Sequence, residues 1–231
     1  VSSAPTSANK ANLASSFLQQ VEKAYGGTAL GRQELAGEMV LERPGALWTR
    51  ANVEAIRCGK APDVKRIVVA VDPPATSGAG ADECGVVVAA LGVDDCGYVL
   101  ADKSSQGESP QTWAARVVKA YHEFGADRII AEVNQGGDLV EAMIRQVDPS
   151  VSYRAVRATR GKATRAEPIS ALYEQGRIRH VGAFTALEDQ MCAFGAEDGE
   201  CRSPDRVDAL VWAMTDLMLR TGAAGPRARR L

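Results

Sequence analysis

Four carboxylates stand where a carboxylate needs a physical reason. Asp72 closes the run IVVAV, residues 67–71, which is apolar on both alternating faces and so reads as a strand in the middle of a sheet. Glu132 lies near the end of RIIAEVN, where Ile129, Ala131 and Val133 face one way and Ile130, Glu132 and Asn134 the other. An acid inside such a strand is costly unless it is paired, protonated or bound to a cation. Asp205 and Asp208 stand three residues apart in SPDRVDALVWAMTDLML, residues 203–219, and i, i+3 neighbours on a helix can reach the same spot. Carboxylates gathered in one place repel one another, and hard divalent cations with oxygen ligands relieve that repulsion. Two such ions about 4 Å apart activate a water and stabilise the leaving oxygen of a phosphodiester.

Each acid also has a plainer reading. Asp72 precedes Pro73 and Pro74 and can simply start a turn. Glu132 can be salt-bridged to an arginine. Asp205 follows Ser203, a natural helix cap, and Pro204, suited to a first helical position; the helix dipole favours an acid there. Asp208 has the weaker excuse. It lies about 100° round the axis from Val207, beside the apolar stripe of Val207, Leu210, Val211, Met214, Leu217 and Met218. Asn134 and Gln135, in the strand-to-helix turn NQGG, either bind substrate or cap the adjoining helix.

The elements that must position these groups begin at Lys65. Strands are predicted over 66–72, 84–92 and 97–103, joined by loops of plausible length into an antiparallel meander. Pro110 opens a helix over 110–124 that Gly125 ends. A strand over 127–133, a helix over 136–147 and a strand over 151–158 come next, then helices over 164–175, 184–194 and 204–220. This order predicts an α/β domain: a mixed sheet, antiparallel in its first three strands and parallel after, flanked by helices. Upstream, residues 1–11 read as a linker, Asn12 caps a helix that Gly26 and Gly27 end, and 30–39 reads as a second helical piece. RPGALWT, 43–49, reads as a turn or extended stretch, and GKAPD, 59–63, as a loop. The division expected is therefore a linker and helical segment over 1–60, a catalytic domain over 61–221 and a basic flexible tail over 222–231.

The chain has 231 residues, 45% of them hydrophobic and 24% charged, which suits one domain plus an extra segment. No apolar run approaches the roughly 18 residues of a membrane span, and no signal peptide is visible. The five cysteines form no C-x-x-C pair, so neither a zinc site nor a disulfide framework is indicated; reduced thiols in a cytoplasm are the default. A net charge of −2 argues against a non-specific nucleic-acid coat protein, but not against an enzyme that meets DNA through bound cations. Basic residues do cluster locally, at Arg154, Arg157, Arg160, Lys162 and Arg165 and again in the tail. No Walker-type phosphate loop occurs. The chain begins with Val rather than Met, as a piece of a longer protein would.

VAVDPP, IIAEVNQGGD and SPDRVDALVWA, in that order and spacing, resemble the nuclease domain of phage-type terminase large subunits, the DNA-packaging motors of tailed phages and related gene-transfer particles. The resemblance spans about residues 60–220. It implies an RNase H-like, resolvase-like fold, with Asp72, Glu132 and Asp208 as catalytic metal ligands and Asp205 as a fourth. It implies two Mg²⁺ or Mn²⁺ ions, one positioning and deprotonating water and the other stabilising the departing 3′ oxygen. Lys162, in TRGKATRAEPISALYEQG, matches a family position and with Arg165 would hold a phosphate near the metals. The segment upstream, with PGALWT, resembles the stretch joining a packaging ATPase to the nuclease, so that ATPase would precede this chain. The implied partners are double-stranded DNA, the portal protein and the terminase small subunit, in the host cytoplasm and away from any membrane. His122 and His180 match no essential position.

The expected function is a metal-dependent endonuclease cutting concatemeric double-stranded DNA with low sequence specificity. Three alternatives stand beside it. A Holliday-junction resolvase would share the fold and differ in substrate. An actin- or sugar-kinase-like ATPase would use DPPATSGAG as a phosphate loop after its first strand. A nuclease-like fold that only grips DNA would have no need of intact acids at all three motifs.

Overall fold

The computed structural model describes residues 44–74, 83–133, 137–196 and 204–219. In chain order these form α1 (Arg50–Ala55), β1 (Arg57–Cys58), β2 (Val64–Asp72), β3 (Glu83–Gly92), β4 (Gly97–Asp102), β5 (Ser105–Gln106), α2 (Pro110–Glu123), β6 (Arg128–Glu132), α3 (Gly137–Val147), β7 (Tyr153–Val156), α4 (Lys162–Glu174), β8 (Ile178–Val181), α5 (Thr185–Ala193) and α6 (Asp205–Met214). A π-helical turn, Thr215–Leu219, continues α6.

The sheet has the order β1-β8-β4-β3-β2-β6-β7, with β5 pairing β3 at its end. β2, β3 and β4 are antiparallel neighbours, while β6 runs parallel to β2, and β7 parallel to β6. The mixed sheet read from the sequence is thus the one found. β2 is central because its side chains alternate between two cores. Val68 and Ala70 enter the core beneath α4, α5 and α6; Ile67, Val69 and Val71 enter the one beneath α2 and α3. Burial on both faces by non-polar side chains is what the uninterrupted apolar run in β2 dictates.

The structure adds elements that the pattern of residues did not announce. β8 pairs in parallel with β4, and β1 in parallel with β8. Its sequence, IRHV, buries Ile178 and His180 but carries Arg179 outward, a four-residue alternation too short and polar to stand out. α1 begins at Thr49, whose hydroxyl accepts from the Asn52 amide; Val53 in it and Trp48 before it are buried in the core beneath α4 and α5. Residues 44–58 therefore share a core with the chain beyond residue 60. The helix expected over 204–220 changes character at Thr215, where the π turn brings buried Asp216 onto Arg66 and Arg154. Pro204 occupies the cap position of α6 rather than its first helical position. The helices expected over 13–25 and 30–39, Ser203 and the basic tail lie outside the described residues. Among the described residues no helix is long and apolar enough to cross a membrane, and Cys58, Cys84 and Cys96 are free thiols.

Candidate active site

β2 and β6 run side by side with Val71 opposite Ala131, so Asp72 and Glu132 are the next residue on each strand, at one edge of the sheet. Both share the parity of Ala70 and Ile130, whose side chains enter the core beneath α6. Across β2, Asp72 pairs with Gly85 of β3. The glycine explains how the helix reaches the strand ends. A Cβ built on Gly85 would stand 2.0 Å from the carbonyl oxygen of Asp205, so a bare backbone is what lets the first turn of α6 lie on the sheet there. Asp205 and Asp208 occupy that turn and are both buried. The local cause is the apolar stripe: Val207, Leu210, Val211 and Met214 bury themselves on the sheet and carry the acids down with them.

The electrostatics record the convergence. The Asp72 carboxyl is pushed up to about 8, first by burial, then by the negative charges of Glu132, Asp208 and Asp205, with Lys162 opposing. Burial also raises Asp208, against the pull of Lys162 and Arg165. Burial would lower Lys162, but its hydrogen bond to Asp208 and the charges of Asp208, Asp72 and Asp205 raise it instead. Buried Cys84 feels the same field; its thiol is pushed up by burial and then by Asp72, which makes it a poor nucleophile.

Two cations and an indole hold Glu132 and Asp208. Lys162, at the start of α4, reaches Asp208 Oδ2 at 2.5 Å. Arg165, one turn later, spans Glu132 Oε2 and Asp208 Oδ1 at 3.4 Å each. The Trp212 Nε1–H donates to Glu132 Oε2 at 2.6 Å, and the Arg165 guanidinium lies 4.8 Å from the centroid of the Trp212 ring. Among the described residues no three His, Cys, Asp or Glu side chains form a ready metal cage. The donor set nonetheless fits a hard divalent cation: carboxylate oxygens only, gathered in one place, with Asp72 raised by burial and then by its acidic neighbours.

The structure thus brings together Asp72, Glu132, Asp205, Asp208, Lys162 and Arg165; Asn134 lies outside the described residues. Neither histidine belongs here. His180 is fully buried between the Tyr173 hydroxyl (2.8 Å) and Glu188 (3.1 Å), and exposed His122 pairs with Asp148. Sequence reading missed Gly85 and Trp212. A glycine within the apolar strand CGVVVAALG was the available signal for the first. Trp212 sits in an apolar helix and gave none.

The family model described as terminase RNaseH-like domain matches residues 69–217. No curated protein matches the chain. Among solved structures, the large terminase nuclease from thermophilic phage G20c aligns with a TM-score of 0.55 and 14% identity, over 74% of this chain and 98% of that one. Its magnesium-bound form aligns with a TM-score of 0.53 and 14% identity, over 74% of this chain and 97% of that one. A mutant large terminase subunit domain from bacteriophage Sf6, with calcium, aligns with a TM-score of 0.57 and 13% identity, over 73% of this chain and 98% of that one. At these identities the likeness is one of fold.

Proposed function

The chain belongs to the terminase RNaseH-like domain family, and from that premise we propose that it is the metal-dependent endonuclease domain of a DNA-packaging terminase large subunit. Its substrate is concatemeric double-stranded DNA, cut with low sequence preference, in the host cytoplasm during particle assembly. The packaging ATPase to which it would be joined, the portal protein and the small subunit are its partners in this reading.

The observation that carries the proposal is the convergence of four acids from β2, β6 and α6 at one edge of the sheet, where Arg165 spans Glu132 and Asp208 and α6 lies on Gly85 beside Asp72; burial and the three neighbouring acids push Asp72 up to about 8. Such a cluster is unfavourable unless cations compensate it. In this reading Asp72, Glu132, Asp208 and Asp205 hold two Mg²⁺ or Mn²⁺ ions. Bound there, the ions supply an activated water and charge stabilisation at the leaving 3′ oxygen. Solved large terminase nucleases carry magnesium, manganese, cobalt, zinc or calcium in their crystals, which supports a divalent cation. The chain's own part is to orient and to screen. Asp72 and Glu132 are fixed at strand ends, Asp205 and Asp208 in the first helical turn laid on Gly85. Lys162 and Arg165, half-exposed and mostly buried respectively, neutralise the carboxylates and can turn to a phosphate of the substrate.

The test is Asp72→Ala in the 231-residue chain. It should keep the circular dichroism of the parent, lose Mn²⁺ binding by titration calorimetry and lose more than about 100-fold in plasmid nicking with Mg²⁺ or Mn²⁺. A variant that nicks as fast as the parent refutes the assignment. A cleavage map of linear duplex concentrated at one sequence, or cutting confined to four-way junctions, refutes the substrate.

A further inference from the structure

β7 continues the row of parallel strand ends that carries the acids. Glu132 is paired with Val156, so Arg157, the next residue, leaves the sheet at the edge where Glu132 stands. From there the chain runs through residues 157–161 into α4, whose first turns bear Lys162 and Arg165. Between Asp148 and Glu167 there are five basic residues and no acid. Three are already engaged by carboxylates: Arg154 by Asp216, Lys162 by Asp208 and Arg165 by Glu132 and Asp208. Arg157 and Arg160 are different. Both are exposed, and among the described residues neither makes a hydrogen bond or an ion pair. In a chain of net charge −2, with the neighbouring cations neutralised at home, these two are positive charge without a counter-charge among the described residues, at the rim of an acidic site.

We infer that the loop 157–161 is a landing for the sugar-phosphate backbone of double-stranded DNA, with Arg157 and Arg160 each neutralising a phosphate beside the acids. The inference rests on the nuclease reading and deepens it. The two arginines touch no reacting atom; they hold the duplex in register with Lys162 and Arg165, which are close enough to the carboxylates to meet the phosphate being cut. Free guanidinium forks suit phosphate oxygens and carry no base information, in keeping with low sequence preference. An unpaired arginine on a solvated loop also has little stability to lose on substitution.

The experiment measures binding of a fluorescent duplex of arbitrary sequence by anisotropy over a series of NaCl concentrations, in EDTA so that nothing is cut. The proteins are the parent chain, Arg157→Gln/Arg160→Gln, Arg157→Lys/Arg160→Lys and Arg179→Gln. Arg179 is exposed on β8, on the far side of the sheet from β6 and β7. The double Gln variant is expected to bind about 10- to 100-fold more weakly at 0.1 M salt, with a salt slope shallower by about 2, since each phosphate contact contributes roughly 0.9. The double Lys variant should stay near the parent, and so should Arg179→Gln. An unchanged slope and affinity in the double Gln variant overturns the inference, as does an equal loss in Arg179→Gln, which would reduce the effect to net charge. A parent that binds and nicks DNA while the double variant behaves identically sinks this inference alone. A parent that neither binds nor nicks sinks the nuclease reading and this inference with it.

Discussion

Trp212 serves two charges at once. Its indole N–H fixes one oxygen of Glu132, and its ring face seats the guanidinium that spans Glu132 and Asp208. Trp212→Phe separates these duties, because the ring remains and the donor goes. Glu132 then keeps Arg165 but loses the indole donor. An outer partner of a metal ligand typically accounts for about 10- to 100-fold in affinity or activity. A loss of that order is expected in Mn²⁺ affinity by calorimetry and in nicking rate, with the unfolding midpoint nearly unchanged. If Trp212→Phe binds Mn²⁺ as the parent does, Glu132 needs no such anchor. At this scale the sequence was informative wherever a residue contradicts its surroundings. Asp72 and Glu132 stand out because an acid at the end of a doubly buried strand is expensive. Trp212 contradicts nothing, since an indole in an apolar helix is ordinary core, and its hydrogen bond is visible only once β6 lies beneath α6. Lys162 and Arg165 could be placed beside phosphate by resemblance; that they hold Asp208 and Glu132 came from the fold.

The contact between α6 and β3 decides whether the acids meet. Gly85 is not there for a special backbone angle; it makes room. Giving it a side chain puts a carbon 2.0 Å from the Asp205 carbonyl oxygen, where backbone, not a flexible side-chain tip, must move. Gly85→Ala is therefore expected to lift the first turn of α6 from the sheet. Overpacking of this kind costs about 1–3 kcal/mol, readable as a lower urea midpoint. Cleavage should fall further than that stability loss explains, because Asp205 and Asp208 are displaced from Asp72. Full nicking activity in a folded Gly85→Ala protein would show that α6 can yield without disturbing the site. The elements themselves were legible in proportion to their length and apolarity. β2, β3, β6 and α2 emerge directly from apolar runs, periodicity and the Pro110 start. β8 was not, because its inward residues are only Ile178 and His180 and its pairing is with strands far away in sequence. β1 and β5, two residues each, carry no pattern at all.

For the molecule as a whole, the end of the sheet away from β6 and β7 is held by a buried polar chain. The Tyr173 hydroxyl bonds His180, His180 bonds Glu188, and Glu188 also takes the Arg57 guanidinium and the Phe184 amide; these groups tie α4, β8, α5 and β1 together. Such a chain favours one protonation state. Burial holds His180 below its usual value of 6.5, so it stays neutral, donating from Nδ1 to Glu188 and accepting the tyrosine proton at Nε2. Burial would raise Glu188, but the hydrogen bonds from His180 and Arg57 outweigh it and hold the carboxyl at about 2. Both shifts act in one direction. An unfolded chain takes up a proton at His180 below about 6.5 and at Glu188 below about 4.5, and the folded one resists each. Stability from Glu188 is therefore complete above pH 4.5 and is lost as pH falls toward 2, while the His180 contribution starts to fall below 6.5. Glu188→Gln should lower the unfolding free energy by about 3 kcal/mol at pH 7, as removing one partner of a buried pair does. The gap between variant and parent should narrow below pH 4.5 in urea titrations monitored by circular dichroism, because only the parent has that carboxylate to protonate. A gap of equal size at pH 3 and pH 6 would mean that Glu188 acts there through its shape and not its charge. Since Arg57 and Trp48 belong to residues 44–58, the same measurement reports how firmly those residues are bound to the core they share with α4 and α5.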